Sequence, residues 1–305
     1  MAAETVLTEL SILAKELGLA FREQRPPFFP SGNYEGWSNA VQEVMVRGDL
    51  ECAIFAARHV SAAFPDSEYL RNLCAVFDRL PPPDDRLLPF RDDLNDNAQV
   101  VARRDTDTVM MLFSGWPHLL GLPLCVVHRW LGRLPANLIY LSDVRNLMYL
   151  GGVSPLGKDR TETIAALREM IASLGGKRLV CYGDSGGGFA ALHYGLELGA
   201  EAVLATGART NLVNLRRARV VNPLHPEFSN AEIDLRELFR ASPRPPRTML
   251  VYAEHNWDDR LHALHLASLS GVTLRKVTKY SRHVVVPELM RRGEFQSLLD
   301  WLIAG

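Results

Sequence analysis

A chain of 305 residues, 47% of them hydrophobic, is long enough to bury a sizeable core and to hold one large domain beside a small one. Its 34 Lys and Arg stand against 35 Asp and Glu, a formal charge of -1 that argues against a polyanion-binding surface, so nucleic acid is not an expected partner. No apolar run approaches the roughly 18 residues needed to span a bilayer. Glu4, Glu9, Lys15 and Glu16 give the N-terminal stretch an amphipathic pattern in place of a basic start and an apolar signal core, so the expectation is a soluble cytoplasmic protein. Cys52, Cys74, Cys125 and Cys181 are dispersed among apolar neighbours without C-x-x-C spacing and read as buried thiols.

In chain order, residues 1–80 read as a helical segment. Between Trp37 and Leu80 short helices follow one another without strand-like alternation. The stretch Gly48 to Ile54 with Phe64-Pro65 resembles a single tetratricopeptide repeat around 37–67, with Trp37, Ala53 and Pro65 at its aromatic, small-residue and terminal-proline places. About three repeats are needed for an independent array. A lone helical pair is therefore expected to pack on the following domain or on a protein partner, and an ordinary helical hairpin is an equal reading. Pro81-Pro82-Pro83-Asp84-Asp85 marks a boundary, and 81–98 reads as a linker.

From residue 99 to 305 strand and helix patterns alternate. Gln99–Arg104 and Thr108–Phe113 read as two strands joined by the turn Asp105-Thr106-Asp107, followed by a helix over Leu122–Leu131 and a strand over Leu138–Leu141. Gly152 to Lys158 has the glycine and lysine spacing of a phosphate-binding loop, but Asp159 replaces the magnesium-binding Ser/Thr and puts a negative charge where phosphates would sit. A periodic helix over Thr161–Leu174 feeds the strand Leu179–Tyr182. That strand runs into Gly183-Asp184-Ser185-Gly186-Gly187-Gly188 and a helix from Phe189 to Leu198.

A serine where a strand turns sharply into a helix is the setting of a nucleophile elbow. So tight a turn pushes Ser185 toward positive φ, a strain of roughly 1–3 kcal/mol, and it closes only if the residues two places to either side lack side chains. Gly183 and Gly187 occupy those places. The Gly186 amide, at the start of the helix, is then aimed at any oxyanion formed beside Ser185.

Val203–Thr206 is the next strand, after which alternation lapses until Thr248. The interval 208–247, with Arg216, Arg217, Arg219 and a short helix over Ala231–Phe239, has the composition of an inserted cap. Thr248–Ala253 reads as a late buried strand, followed by Glu254-His255-Asn256-Trp257-Asp258-Asp259 and a helix from Leu261 to Leu269. Val272–Thr278 leads to the loop that ends in His283, and Pro287 suits the first turn of the terminal helix. The order serine, acid, histidine makes His283 the expected general base. Asp259 is the favoured acid, Asp258 its alternative and Glu254 a third. His255, His262 and His265 with Glu254 and Asp258 are also zinc-ligand types, but no helix-borne H-E-x-x-H appears, and no metal or cofactor is expected.

On the elbow at Ser185, the acids at Asp258 and Asp259 and His283, the segment from about Val100 onward resembles the α/β-hydrolase superfamily. The resemblance implies an α/β fold with a mostly parallel central sheet. It also implies a serine hydrolase acting on a small acyl ester or thioester, with acyl transfer or a noncatalytic scaffold as alternatives. Two departures stand out. Asn256 occupies the place where hydrolases often carry the aspartate, and the usual histidine-glycine pair after an early strand is replaced by Ser114-Gly115-Trp116-Pro117-His118. A backbone amide at Gly115 or Trp116 is the expected second oxyanion donor.

Overall fold

Thr108–Phe113, Asn137–Leu141 and Ala202–Thr206 are buried at every residue, as strands covered on both faces must be. The computed structural model, which describes residues 2–28, 34–213 and 233–304, places them in a seven-stranded sheet. Its strands are β1 (Ala98–Val101), β2 (Thr108–Phe113), β3 (Asn137–Leu141), β4 (Arg178–Asp184), β5 (Ala202–Thr206), β6 (Arg247–Ala253) and β7 (Val272–Val277). The spatial order is β1-β3-β2-β4-β5-β6-β7, parallel throughout except for β1, which runs antiparallel to β3.

Period-two alternation divides the core in two. On one face Met110, Leu112, Leu138, Tyr140, Val180 and Tyr182 join a cluster with the N-terminal helices α1 (Ala2–Arg22), α2 (Tyr34–Val46), α3 (Leu50–Ala63) and α4 (Glu68–Phe77). The same cluster includes α5 (Leu124–Leu131) and the last two helices, α10 (Val286–Arg291) and α11 (Phe295–Ile303). On the other face Val109, Met111, Phe113, Ile139 and Cys181 pack with α6 (Arg160–Ser173), α7 (Gly186–Leu198), α8 (Leu235–Ala241) and α9 (Trp257–Leu266). Burial of this kind stabilises by about 25 cal/mol per Å² of apolar surface. The N-terminal helices thus share one continuous apolar core with the sheet.

The structure departs from the sequence reading in three places. The strands around 99–104 and 108–113 do not pair with each other, because β3 lies between them; the wholly buried β2 takes a central place and the partly exposed β1 the edge. The helix expected from Leu261 begins at Trp257, since Asn256 caps it by accepting from the Asp259 N–H at 3.2 Å. The terminal helix is two: α10, with Pro287 in its first turn, ends before Gly293, whose φ of +72° turns the chain into α11. Within the expected cap, α8 lies in the described residues, whereas 214–232, which hold Arg216, Arg217, Arg219 and the first residues of the expected 231–239 helix, lie outside them. Among the described residues no helix is long and apolar enough to cross a membrane.

Candidate active site

The elbow starts from an exchange of close contacts that only glycine permits. A Cβ on Gly183 would stand 2.1 Å from the Gly187 carbonyl oxygen, and one on Gly187 would stand 2.0 Å from that of Phe113. With both bare, β4 turns into α7 through Ser185 at φ +53° and ψ -117°, a conformation that L-residues avoid. The Ser185 N–H donates to the Thr206 carbonyl at 2.8 Å, which ties the strained residue to β5.

His283 follows β7 and reaches back over the sheet's C-terminal edge. Its Nε2 lies 2.8 Å from Ser185 Oγ and its Nδ1 2.6 Å from Asp259 Oδ1. A carboxylate oxygen only accepts, so Nδ1 carries the hydrogen and the neutral ring offers Nε2 as acceptor to the serine hydroxyl. Asp259, 2% exposed, sits in the first turn of α9, and the hydrogen bond it accepts holds the His283 pKa above the ordinary histidine value despite partial burial. The second oxygen of Asp259 is buried without a hydrogen-bond partner among the described residues.

Asp258 goes elsewhere. It pairs with Arg209, while Asp259 alone of the two reaches the imidazole. Glu254 is held by Lys276 at 2.7 Å and by the Lys279 N–H at 2.8 Å. His262 Nδ1 accepts from the Thr210 N–H at 3.2 Å, and burial lowers its pKa to about 4. His265 faces Thr210 and, at 3.3 Å, Asp234, whereas His255 is exposed. Asp258, His262 and His265 are thus engaged by Arg209, Thr210 and Asp234, Glu254 by Lys276, and among the described residues no three such side chains come together as a metal site. In the phosphate-loop look-alike, Asp159 instead caps α6 by accepting from the Glu162 N–H at 2.9 Å.

The amides around Ser185 divide their work. Gly186 opens α7, so its N–H has no helical partner and points from the positive end of the helix. Gly115 plays a different part from the one its amide suggested. Its N–H donates to the Leu119 carbonyl at 2.7 Å, and its missing side chain lets the loop approach the elbow, since a Cβ there would stand 2.8 Å from the Asp184 carbonyl oxygen and 3.3 Å from Ser185 Cβ. The Trp116 N–H, one residue on, makes no hydrogen bond among the described residues, and the indole is 73% exposed.

Sequence reasoning gave no role to three neighbours of this chain of hydrogen bonds. Asp184, 4% exposed, accepts from Thr206 Oγ1 at 2.6 Å; burial pushes its pKa up to about 6 against that hydrogen bond and the nearby His283. Gly207, at φ +56°, passes behind the imidazole, where a Cβ would meet the His283 ring at 3.2 Å. Met148 Sδ covers Gly186, at 2.7 Å from where a Cβ would lie. Of the three only Asp184 was visible in advance, as a carboxylate wedged between an apolar strand and the serine.

No protein-family model matches the chain, and no curated protein matches it. Among solved structures, the fluorophosphonate-binding serine hydrolase FphF of Staphylococcus aureus is similar over 73% of this chain and 90% of its own, with 13% identity and a TM-score of 0.51. The capsule O-acetyltransferase of Neisseria meningitidis serogroup A gives 11% identity, coverage of 73% and 99%, and a TM-score of 0.49. The α/β hydrolase MGS-MChE2, from the metagenome of lagoon sediments of Mar Chica, Morocco, gives 15%, 67% and 93%, and 0.47. The likeness to FphF is one of fold, a mostly parallel sheet flanked by helices.

Proposed function

We propose that this protein is a serine hydrolase that cleaves acyl esters or thioesters through Ser185, His283 and Asp259. The observation that carries the reading is the unbroken chain of hydrogen bonds from the strained Ser185 hydroxyl through both imidazole nitrogens to a buried carboxylate. Ser185 Oγ attacks the carbonyl carbon while His283 Nε2 takes its proton. The Gly186 and Trp116 amides receive the charge that collects on the carbonyl oxygen. As the bond to the leaving alcohol or thiol breaks, His283 returns the proton to it, leaving an acyl-serine. Water, deprotonated by the same imidazole, then releases the acid and restores the serine. Asp259 holds the ring in the required tautomer and stabilises its protonated form.

Labelling with a fluorophosphonate probe tests the assignment directly. The native protein is expected to label, and Ser185→Ala to lose both labelling and ester turnover while keeping its melting temperature within a few degrees. Turnover in Ser185→Ala at the native level would overturn it. Replacing water by a series of acceptor alcohols in the same assay separates hydrolysis from acyl transfer. The N-terminal helices share an apolar core with the sheet, which supports a role within the molecule over one in holding a protein partner.

A further inference from the structure

A cavity of about 590 Å³ opens between the N-terminal helices and the loop that carries His283, and His283 itself lines it. That is room for a drug-sized ligand, far more than a small acyl group fills. Its walls include Met45, Leu73 and Val76 from α2 and α4, and Leu119, Leu122 and Val284 from the catalytic side. The rim is charged and unbalanced: among the described lining residues Lys279, Arg282, Arg291 and Arg292 stand against Glu68 and Glu288. Glu288 is buried and held by Arg291 and Arg292, each at 2.6 Å. Arg282 reaches Glu68 of α4 at 3.1 Å through solvent-exposed side chains, and the Lys279 ammonium meets no carboxylate among the described residues.

We propose that this cavity binds the leaving half of the substrate, and that this half is an apolar chain ending in an anionic group, a carboxylate or a phosphate. The inference rests on the ester-cleaving reading above. An imidazole that returns its proton to the departing oxygen stands beside that oxygen, so the half that leaves extends toward the imidazole side, where the cavity opens. Apolar walls take the chain, and Lys279, together with Arg282 in its solvent-exposed pair, takes its end. Glu68 competes with that end for Arg282. The N-terminal helices are in this reading a wall of the substrate site.

The test is steady-state kinetics on the full chain with acetate esters that share one chain length: ω-acetoxyhexanoate, ω-acetoxyhexyl phosphate and neutral hexyl acetate. Monomethyl adipate, which carries its carboxylate on the acyl side, is compared with methyl hexanoate. The anionic acetates are expected to exceed hexyl acetate in kcat/KM by about tenfold, the scale of one charge-assisted hydrogen bond. The ratio should fall toward one in Lys279→Gln/Arg282→Gln, persist in Arg282→Lys and rise in Glu68→Gln. The two anionic acetates, compared with each other, tell carboxylate from phosphate. Equal rates for charged and neutral acetates, a preference that survives the double neutralisation, or a preference for monomethyl adipate over the anionic acetates would each overturn the inference. Ser185-dependent hydrolysis of p-nitrophenyl acetate is the control: its loss overturns the ester reading and this one with it, whereas its presence without anion preference overturns this one alone.

Discussion

Asp184 precedes the serine, is buried, and its carboxylate accepts from the Thr206 hydroxyl at 2.6 Å. Its folded pKa, about 6, lies above the ordinary aspartate value of 3.8 because burial disfavours the charge. The folded state therefore keeps a proton that the unfolded chain has released, and stability falls as pH rises from about 4 through about 6. Asp184→Asn keeps an oxygen for Thr206 and removes the buried charge. The variant should melt higher than the native protein above pH 6, by the equivalent of about 2–3 kcal/mol, and the gap should close below pH 4. Thermal melts across that range check it, and a gap independent of pH would show that Asp184 is not the titrating group. Charge this close to His283 also helps to keep the imidazole basic.

Among elements, α9 shows how a helix end places a functional side chain. Asn256 accepts the Asp259 N–H, which starts the helix at Trp257 and puts Asp259 on its inner face. Asn256→Ala removes that cap and should lower stability by about 1 kcal/mol; it should also reduce ester turnover, because the carboxylate that orients His283 loses its fixed start. Unchanged melting and unchanged turnover in this variant would show that the cap is dispensable. The same element marks the limit of sequence reasoning. Continuous apolar runs made β2, β4, β5 and β6 legible, and glycine spacing made the elbow legible, because both are local patterns. Trp257-Asp258-Asp259-Arg260 has no apolar period, so the first turn of α9 could be read only from its cap. Likewise β1 and β2 looked like neighbours in the chain, and only the depth of burial of β2, a property of the whole sheet, put β3 between them. Gly115 looked like an amide donor because its place in the loop was legible, while its bond to Leu119 depends on how the loop folds back.

At the scale of the molecule, one apolar cluster runs from Leu17 and Trp37 of the N-terminal helices to Leu289 and Leu302 of the last two. The helical pair expected around 37–67 is present as α2 and α3, but spacing alone could not reveal the surface against which that pair is buried. Deleting residues 1–80 should uncover the apolar surfaces of α5 and α10 against which α2 and α4 pack, and the truncated chain should aggregate or fail to melt cooperatively. Size-exclusion chromatography and calorimetry decide it; a monodisperse, cooperatively melting fragment would show that the helices are an accessory.

The contact between α4 and α10 has a further consequence, in time. Phe77 ends α4 and Val286 begins α10, 209 residues later by subtraction. At the usual speed of synthesis, about 5–20 residues per second, α4 waits roughly 10–40 s for that partner. Through that interval a nascent chain presents Leu73 and Val76 without the helix that later lies against α4. Such a chain is the kind of client that a chaperone holds until its last helices return to its first.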